Sequence, residues 1–218
     1  MGETSVQTRT ATETRETTAR DRRRAGVAFV ALGGGFLTVV MLAAAMVPGY
    51  DFHGGAISDL GVFAESQLLF NATLVVAGLL NIAGGYYLYR THGKGWILAL
   101  FALAGIGAAG AGVFPLDAGD LHSLFALFAF AFFNLEALAV ATRLSGAIRV
   151  LAALAGVVGL VFVAVMIVGD AGNAAVFGPI GHGGAERMIV YPEMVFLLAF
   201  GGYLLAPRAD EADAPTVA

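Results

Sequence analysis

Three segments of the chain carry acidic, imidazole and hydroxyl side chains that could bind a polar ligand or transfer a proton. They span residues 53–61, 114–123 and 182–193, and each adjoins a long apolar stretch. Histidine and carboxylate side chains are common general acids and bases. The candidate ligand-binding residues are Ser58, Asp59, Asp117, His122, Arg187 and Glu193, and the candidate catalytic residues among them are Asp59, His122 and Glu193.

Arg187 and Glu193 are the two most unusual members of this set. Glu193 follows Pro192 inside an apolar stretch, and an ionisable group in a membrane span is a functional candidate by default. Arg187 is expected to form a salt bridge with Asp59, Asp117 or Glu193. Its planar guanidinium also suits an anionic headgroup. A purely structural role, with Arg187 or Tyr191 holding Glu193 at the proline kink, is the alternative.

The same segments allow two kinds of catalytic site. His53, His122 and His182 are candidate zinc ligands, because a catalytic zinc needs three protein ligands and an open position. No H-x-x-x-H or H-E-x-x-H spacing is present, so no cofactor is expected and zinc is the alternative. Ser58 or Ser123 with His122 could form a serine hydrolase. The absence of cysteine excludes disulfides and thiol catalysis.

The composition predicts that these residues are held by membrane-spanning helices. The chain is 58% hydrophobic and 13% charged, whereas soluble domains carry about 25% charged residues. Six apolar segments approach the roughly 20 residues that a spanning helix needs. They are Ala25 to Val47, Gln67 to Tyr87, Trp96 to Phe114, Leu121 to Val140, Val150 to Val168 and about Arg187 to Leu205. The prediction is an all-α, polytopic bundle of six transmembrane helices over residues 25–207. Residues 1–24 and 208–218 are predicted to be disordered tails.

Basic residues predict how this bundle is oriented. Eleven of the twelve Lys and Arg residues lie in the two termini or in two connections, between the second and third and between the fourth and fifth apolar segments. Arg187 is the exception. Lys and Arg accumulate in cytoplasmic loops, so both termini and both tails are predicted to be cytoplasmic in a multi-pass protein of the cell membrane. The three polar segments then share the outer face. Membrane lipids are the expected partners, no nucleic acid is expected, and the oligomeric state is left open.

Small and polar residues inside the spans are interpreted as packing elements. Gly105, Gly107 and Gly110 match G-x-G-x-x-G, but the nucleotide motif needs a preceding strand, so close helix packing is predicted instead. Asn71, Asn81 and Asn134 are expected to form hydrogen bonds between helices. Glu136 is expected to pair with Arg143 or Arg149.

Several of these residues also support a family resemblance. The motifs are Ile57-Ser58-Asp59-Leu60-Gly61, Asn71, Val113-Phe114-Pro115-Leu116-Asp117, His122 and the run from Glu186-Arg187 to Tyr191-Pro192. Over residues 27–205 the chain resembles the DUF998 family of six-helix prokaryotic membrane proteins, which implies this architecture and no established activity.

A second likeness rests on shorter motifs. The Ile-Ser-Asp-x-Gly element, and a histidine that opens a phenylalanine-rich helix at His122, are similar to the Frag1/DRAM/Sfk1 family. That family has a Pro-Glu pair where this chain has Ala64-Glu65. The likeness implies a role connected with lipids.

These observations lead to one functional hypothesis and three alternatives. The hypothesis is a polar pocket at the outer leaflet that binds a lipid headgroup. The first alternative is a membrane-embedded lipid hydrolase or transferase, with or without zinc, so whether the protein is an enzyme is left open. The second is a transporter or channel, which is less favoured because the polar positions concentrate at one face. The third is a scaffold whose polar cluster only ties the helices together.

Overall fold

Six long helices form the protein. The computed structural model describes the backbone of residues 2–207 and the side chains of residues 14–207. The helices are α1 (Gly2–Met46), α2 (Gln67–His92), α3 (Gly95–Val113), α4 (Asp120–Ala141), α5 (Gly146–Asp170) and α6 (Gly181–Leu205). Within the described residues there is no strand, and six helices are long and apolar enough to cross a membrane. The predicted all-α six-helix fold is therefore confirmed.

Short 3₁₀ helices occupy three of the connections, all at one end of the bundle. They are Ile57–Gly61, Leu116–Ala118 and Ala174–Ile180. We call this end the predicted outer end, because the positive-inside pattern assigns it to the non-cytoplasmic side. The orientation itself stays a prediction.

The six helices close into a ring. Each helix packs against its neighbours in sequence, α1 packs against α6, and α4 also touches α6 across the interior. Short connections such as Gly93-Lys94 make successive helices antiparallel. The ring brings α4 and α6 together although they are not consecutive, and this contact builds the site described below.

Glycines allow the helix backbones to approach closely. A Cβ atom on Gly105 would lie 2.5 Å from the carbonyl oxygen of Gly78, across the contact between α3 and α2. A Cβ atom on Gly107 would lie 2.9 Å from the carbonyl oxygen of Phe125 on α4. These glycines therefore serve helix packing, as predicted, and no strand precedes them.

The first and last helices begin earlier than predicted: α6 begins at Gly181 and not near Arg187, and α1 begins well before Ala25. α1 continues upstream of Ala25, through residues that the sequence places in a tail, and packs there against other helices. Asp21 is 2% exposed and forms an ion pair with Arg90 at 3.0 Å. Arg22 donates hydrogen bonds to the carbonyl oxygens of Tyr203 and Ala206. The predicted tail at 208–218 lies outside the described residues.

Candidate functional site

An internal cavity opens among the 3₁₀ helix Ile57–Gly61, α1, α2, α3, α4 and α6. Its volume is about 60 Å³, and one water molecule needs about 10–15 Å³ of such space, so there is room for about four. The walls are mainly apolar and include Phe36, Phe70, Leu74, Phe130, Phe133 and Met194. The polar side chains that line it are Ser58, His122, Asn134, Glu186 and Glu193.

His122 lies at the outer part of this cavity, with one ring nitrogen free. The residue is 4% exposed, and Nδ1 lies 2.8 Å from the carbonyl oxygen of Phe114. A carbonyl oxygen only accepts, so Nδ1 carries the proton, and Nε2 of the neutral ring is an acceptor. Nε2 is buried and has no hydrogen-bond partner among the described residues. In this tautomer, Nε2 can act as a general base or accept a hydrogen bond from a donor group of a ligand.

Glu186 connects the 3₁₀ helix Ile57–Gly61 to α6. Its Oε1 accepts a hydrogen bond from the Ser58 hydroxyl at 2.9 Å, and its Oε2 accepts one from the backbone N–H of Ile57. The carboxylate is 3% exposed. The sequence places Glu186 in a polar segment without assigning it to the site. The sequence did hold one indication of this position: Glu186 precedes Glu193 by seven residues, or two helical turns, so both lie on the same face of one helix.

Replacing Glu186 with alanine is expected to lower the thermal stability of the bundle. The change leaves the Ile57 N–H and the Ser58 hydroxyl without their acceptor, and an unsatisfied buried donor costs about 1–3 kcal/mol. Thermal denaturation in detergent should show a clearly lower Tm for Glu186→Ala, while Glu186→Gln, which keeps one side-chain oxygen, recovers part of the loss. The exposed Glu65→Ala is the control. Equal Tm values for Glu186→Ala and Glu65→Ala would contradict this role.

Arg187 lies outside the cavity and binds backbone carbonyls. Its Nη1 donates to the carbonyl oxygens of Phe52, Gly55 and Gly183 at 2.7–3.1 Å, and its Nη2 donates to the Tyr50 hydroxyl at 2.8 Å. The guanidinium also lies 4.9 Å from the centre of the Phe52 ring. Burial raises the pKa of Tyr50 above its ordinary value, and the charge of Arg187 partly opposes this rise. Arg187 thus joins the α1–α2 connection to α6.

The expected salt bridge of Arg187 is wrong. Within the described residues, the ion pairs do not include Arg187. Asp59 instead accepts a hydrogen bond from the backbone N–H of Ala56 at 2.9 Å, and Asp117 is exposed on the 3₁₀ helix Leu116–Ala118. Neither aspartate nor Arg187 lines the cavity. Ser58, His122 and Glu193 do, and the ligand-binding role of all six residues stays a prediction.

The arrangements considered for zinc and for serine catalysis are not formed by the described residues. In the described part of the chain, no three His, Cys, Asp or Glu side chains lie together in a way that could hold a metal ion. His53 is exposed, and His182 lies 3.2 Å from Asp170. The hydroxyl of Ser58 binds Glu186, and that of Ser123 binds the carbonyl oxygen of Gly119. Neither hydroxyl is paired with His122.

Deeper in the bundle lies a second group of polar side chains, from α2, α4 and α6. Glu136 and Glu193 are both 0% exposed. Oε2 of Glu136 accepts a hydrogen bond from Asn81 at 2.9 Å, so the expected pairing with Arg143 or Arg149 is wrong. Asn81 also donates to the carbonyl oxygen of Phe101 on α3, and Asn134 donates to that of Ile189 on α6. These bonds confirm the predicted interhelical role of Asn81 and Asn134, whereas Asn71 donates instead to the carbonyl oxygen of Gly61 in the connection before α2.

The ring of spanning helices and its internal cavity define the class of this molecule: a polytopic α-helical membrane protein with buried ionisable groups. The chain belongs to the family described as "Protein of unknown function (DUF998)", whose model matches residues 15–203. Comparisons with curated proteins and with solved structures find no match. The resemblance to DUF998 is confirmed, and the likeness to Frag1/DRAM/Sfk1 stays a prediction.

Proposed function

We propose that the cavity binds the hydrogen-bond-donating end of a lipid headgroup, such as a primary ammonium. The observation that carries the proposal is the unpaired Nε2 of His122 inside a mostly apolar cavity. Apolar pockets with a few convergent polar groups are the usual binding sites for small and amphipathic ligands. A ligand that contacts Nε2 of His122 in this cavity therefore needs a hydrogen-bond donor.

The charges around the cavity favour an ammonium over a phosphate. Two carboxyl groups, Glu186 and Glu193, line the cavity, and no Lys or Arg is among its lining residues. The guanidinium of Arg187 already donates to four oxygen atoms. The anionic headgroup contact considered for Arg187 from the sequence therefore has less support than a contact of an ammonium with His122 and Glu186.

The size of the cavity limits what enters it. A volume of about 60 Å³ accommodates the terminal group of a headgroup, whereas the phosphate and acyl chains stay in the surrounding bilayer. A lipid hydrolase or transferase is the second candidate function, because the fixed Nδ1–H tautomer leaves Nε2 of His122 able to take a proton from a hydroxyl or water. Both functions depend on the same nitrogen atom.

Replacing His122 with alanine is expected to remove the preference for amine-bearing lipids. A hydrogen bond to a charged group contributes about 1.5–3 kcal/mol, which corresponds to roughly a tenfold or greater loss of affinity. Native mass spectrometry of protein from mixed nanodiscs would measure the retention of phosphatidylethanolamine against phosphatidylglycerol. The wild type should retain the amine lipid preferentially, and His122→Ala should not.

The control is Asp120→Ala, an exposed change on the same turn of α4 that leaves the cavity intact. Its lipid preference should equal that of the wild type. The proposal fails if the wild type shows no preference for phosphatidylethanolamine. It also fails if a folded His122→Ala or His122→Gln protein keeps that preference.

A further inference from the structure

We propose that Glu136 and Glu193 form a proton-binding site deep in the membrane, which exchanges protons with the predicted outer end through the cavity. The proposal concerns a different ligand from the lipid and does not depend on lipid binding. It rests on the depth of the two carboxyl groups, on their unpaired oxygen atoms and on the path that the cavity opens to one of them.

Both carboxyl groups lie deep in the bundle. Glu136 is 16 residues from the outer end of α4, and Glu193 is 12 residues from that of α6. At 1.5 Å per residue these positions are about 24 Å and 18 Å along the helices, in the inner and middle parts of a core about 30 Å thick. They lie close enough to interact electrostatically, although 57 residues separate them in sequence.

Four oxygen atoms of Asn81, Glu136 and Glu193 have no protein partner among the described residues. They are Oδ1 of Asn81, Oε1 of Glu136 and both carboxyl oxygens of Glu193. All four are acceptors when the carboxyl groups are ionised, so they cannot satisfy one another. A proton on either carboxyl group turns one acceptor into a donor, which can then pair with another of the four.

The charges of the elements around the two glutamates also favour the binding of a proton. Neither glutamate takes part in an ion pair in the described part of the chain, and two uncompensated buried charges are strongly unfavourable. The titratable groups that share the cavity with Glu193 are His122 from α4 and Glu186 from α6. Tyr191 adds a buried, unpaired hydroxyl on α6.

The other helices contribute only neutral groups to this region. Around the cavity, α1, α2 and α3 present apolar side chains, and α2 presents the neutral Asn81 to Glu136. From α5, Gly159 lies against the amide of Asn134. Among the described neighbours there is therefore no Lys or Arg side chain, and a proton is the simplest cation that neutralises the pair.

The cavity extends from Glu193 toward the predicted outer end, where Ser58, His122 and Glu186 line it. Glu193 lines the cavity, whereas Glu136 does not. His122 stands 12 residues before Asn134 on α4, so the cavity wall extends about 18 Å along that helix. Space for about four waters allows protons to pass along this path by hydrogen-bond exchange. Glu193 is therefore the point of entry, and Glu136 is the second acceptor.

Infrared spectroscopy can test the proposal with the full chain in nanodiscs. Phosphatidylcholine is the lipid of choice, because its quaternary headgroup has no N–H donor and the result is then independent of the proposed lipid site. The wild type should show carbonyl bands of protonated, buried carboxyl groups at neutral pH. Glu193→Gln and Glu136→Gln should each remove one band, and the exposed Glu65→Gln should remove none.

Exchange into D₂O tests the path. The band assigned to Glu193 should shift on exchange of the folded protein, and it should shift before the band assigned to Glu136. Both Gln variants should keep the wild-type Tm, because glutamine resembles a protonated carboxyl group. The proposal is overturned if neither variant removes a band, or if both lose Tm and added Na⁺ or Ca²⁺ raises the Tm of the wild type alone. Loss of lipid preference in His122→Ala with both bands intact would separate the two proposals.

Discussion

Gly107→Leu is expected to prevent α3 and α4 from packing and to abolish most of the folded protein. A Cβ atom at this position would lie 2.9 Å from the Cα atom of Ala129 and 2.9 Å from the carbonyl oxygen of Phe125. These atoms belong to the helix backbone and cannot rotate away as a side chain does. The helices would have to separate, and the expected cost is about 3 kcal/mol or more.

Gly202→Leu is the matched control for this change. Gly202 also lies in a long helix, α6, but no atom of the described residues is within 4 Å of a Cβ built there. Leucine has a higher helix propensity than glycine by up to about 1 kcal/mol, so this variant should be as stable as the wild type or slightly more stable. Size-exclusion chromatography after detergent extraction, followed by thermal denaturation, measures both. A monodisperse Gly107→Leu protein with the wild-type Tm would refute the close-packing role.

Arg187→Ala is expected to lower the stability of the predicted outer end by about 2–4 kcal/mol. The guanidinium makes four hydrogen bonds, to three backbone carbonyls and the Tyr50 hydroxyl. Hydrogen bonds of a charged group contribute about 1.5–3 kcal/mol each, and bonds that share one side chain do not add fully. Thermal denaturation of the purified protein in detergent measures the loss.

Two further variants sharpen this result. Arg187→Lys should recover less than half of the lost stability, because an ammonium group lacks the planar fork that reaches several acceptors at once. Arg149→Ala removes the same type of side chain at an exposed position of α5 and should leave Tm unchanged. An Arg187→Ala protein with wild-type Tm and impaired lipid binding would instead support the headgroup role considered from the sequence.

The pairing of Glu136 shows where sequence-based prediction reached its limit. Arg143 and Arg149 were the expected partners because they follow Glu136 at the same end of the bundle. The carboxyl group lies instead against Asn81 of α2 and near Glu193 of α6. Helix periodicity specifies the face on which Glu136 lies, but it does not specify which helix covers that face.

The role of Arg187 shows a related limit. Its position as a lone basic residue among acids favoured a salt bridge, because pairing rules consider side chains alone. Its partners are mainly backbone carbonyls: those of Phe52 and Gly55 in the irregular connection between α1 and α2, and that of Gly183 in the first turn of α6. Carbonyls of irregular backbone need donors in a nonpolar setting, but their positions follow from the tertiary path and leave no residue-type signal.

The sequence by itself determined that this protein has six spanning helices and that Glu193 lies buried within one of them, because the cost of placing polar groups in a bilayer depends on composition over about 20 residues. It also indicated the packing role of the glycines. Only the tertiary structure decided that α1 closes onto α6, that His122 and Glu193 share a cavity, and that Asn81 binds Glu136. Those contacts join residues distant in sequence, and they depend on how the helices fit together around the ring.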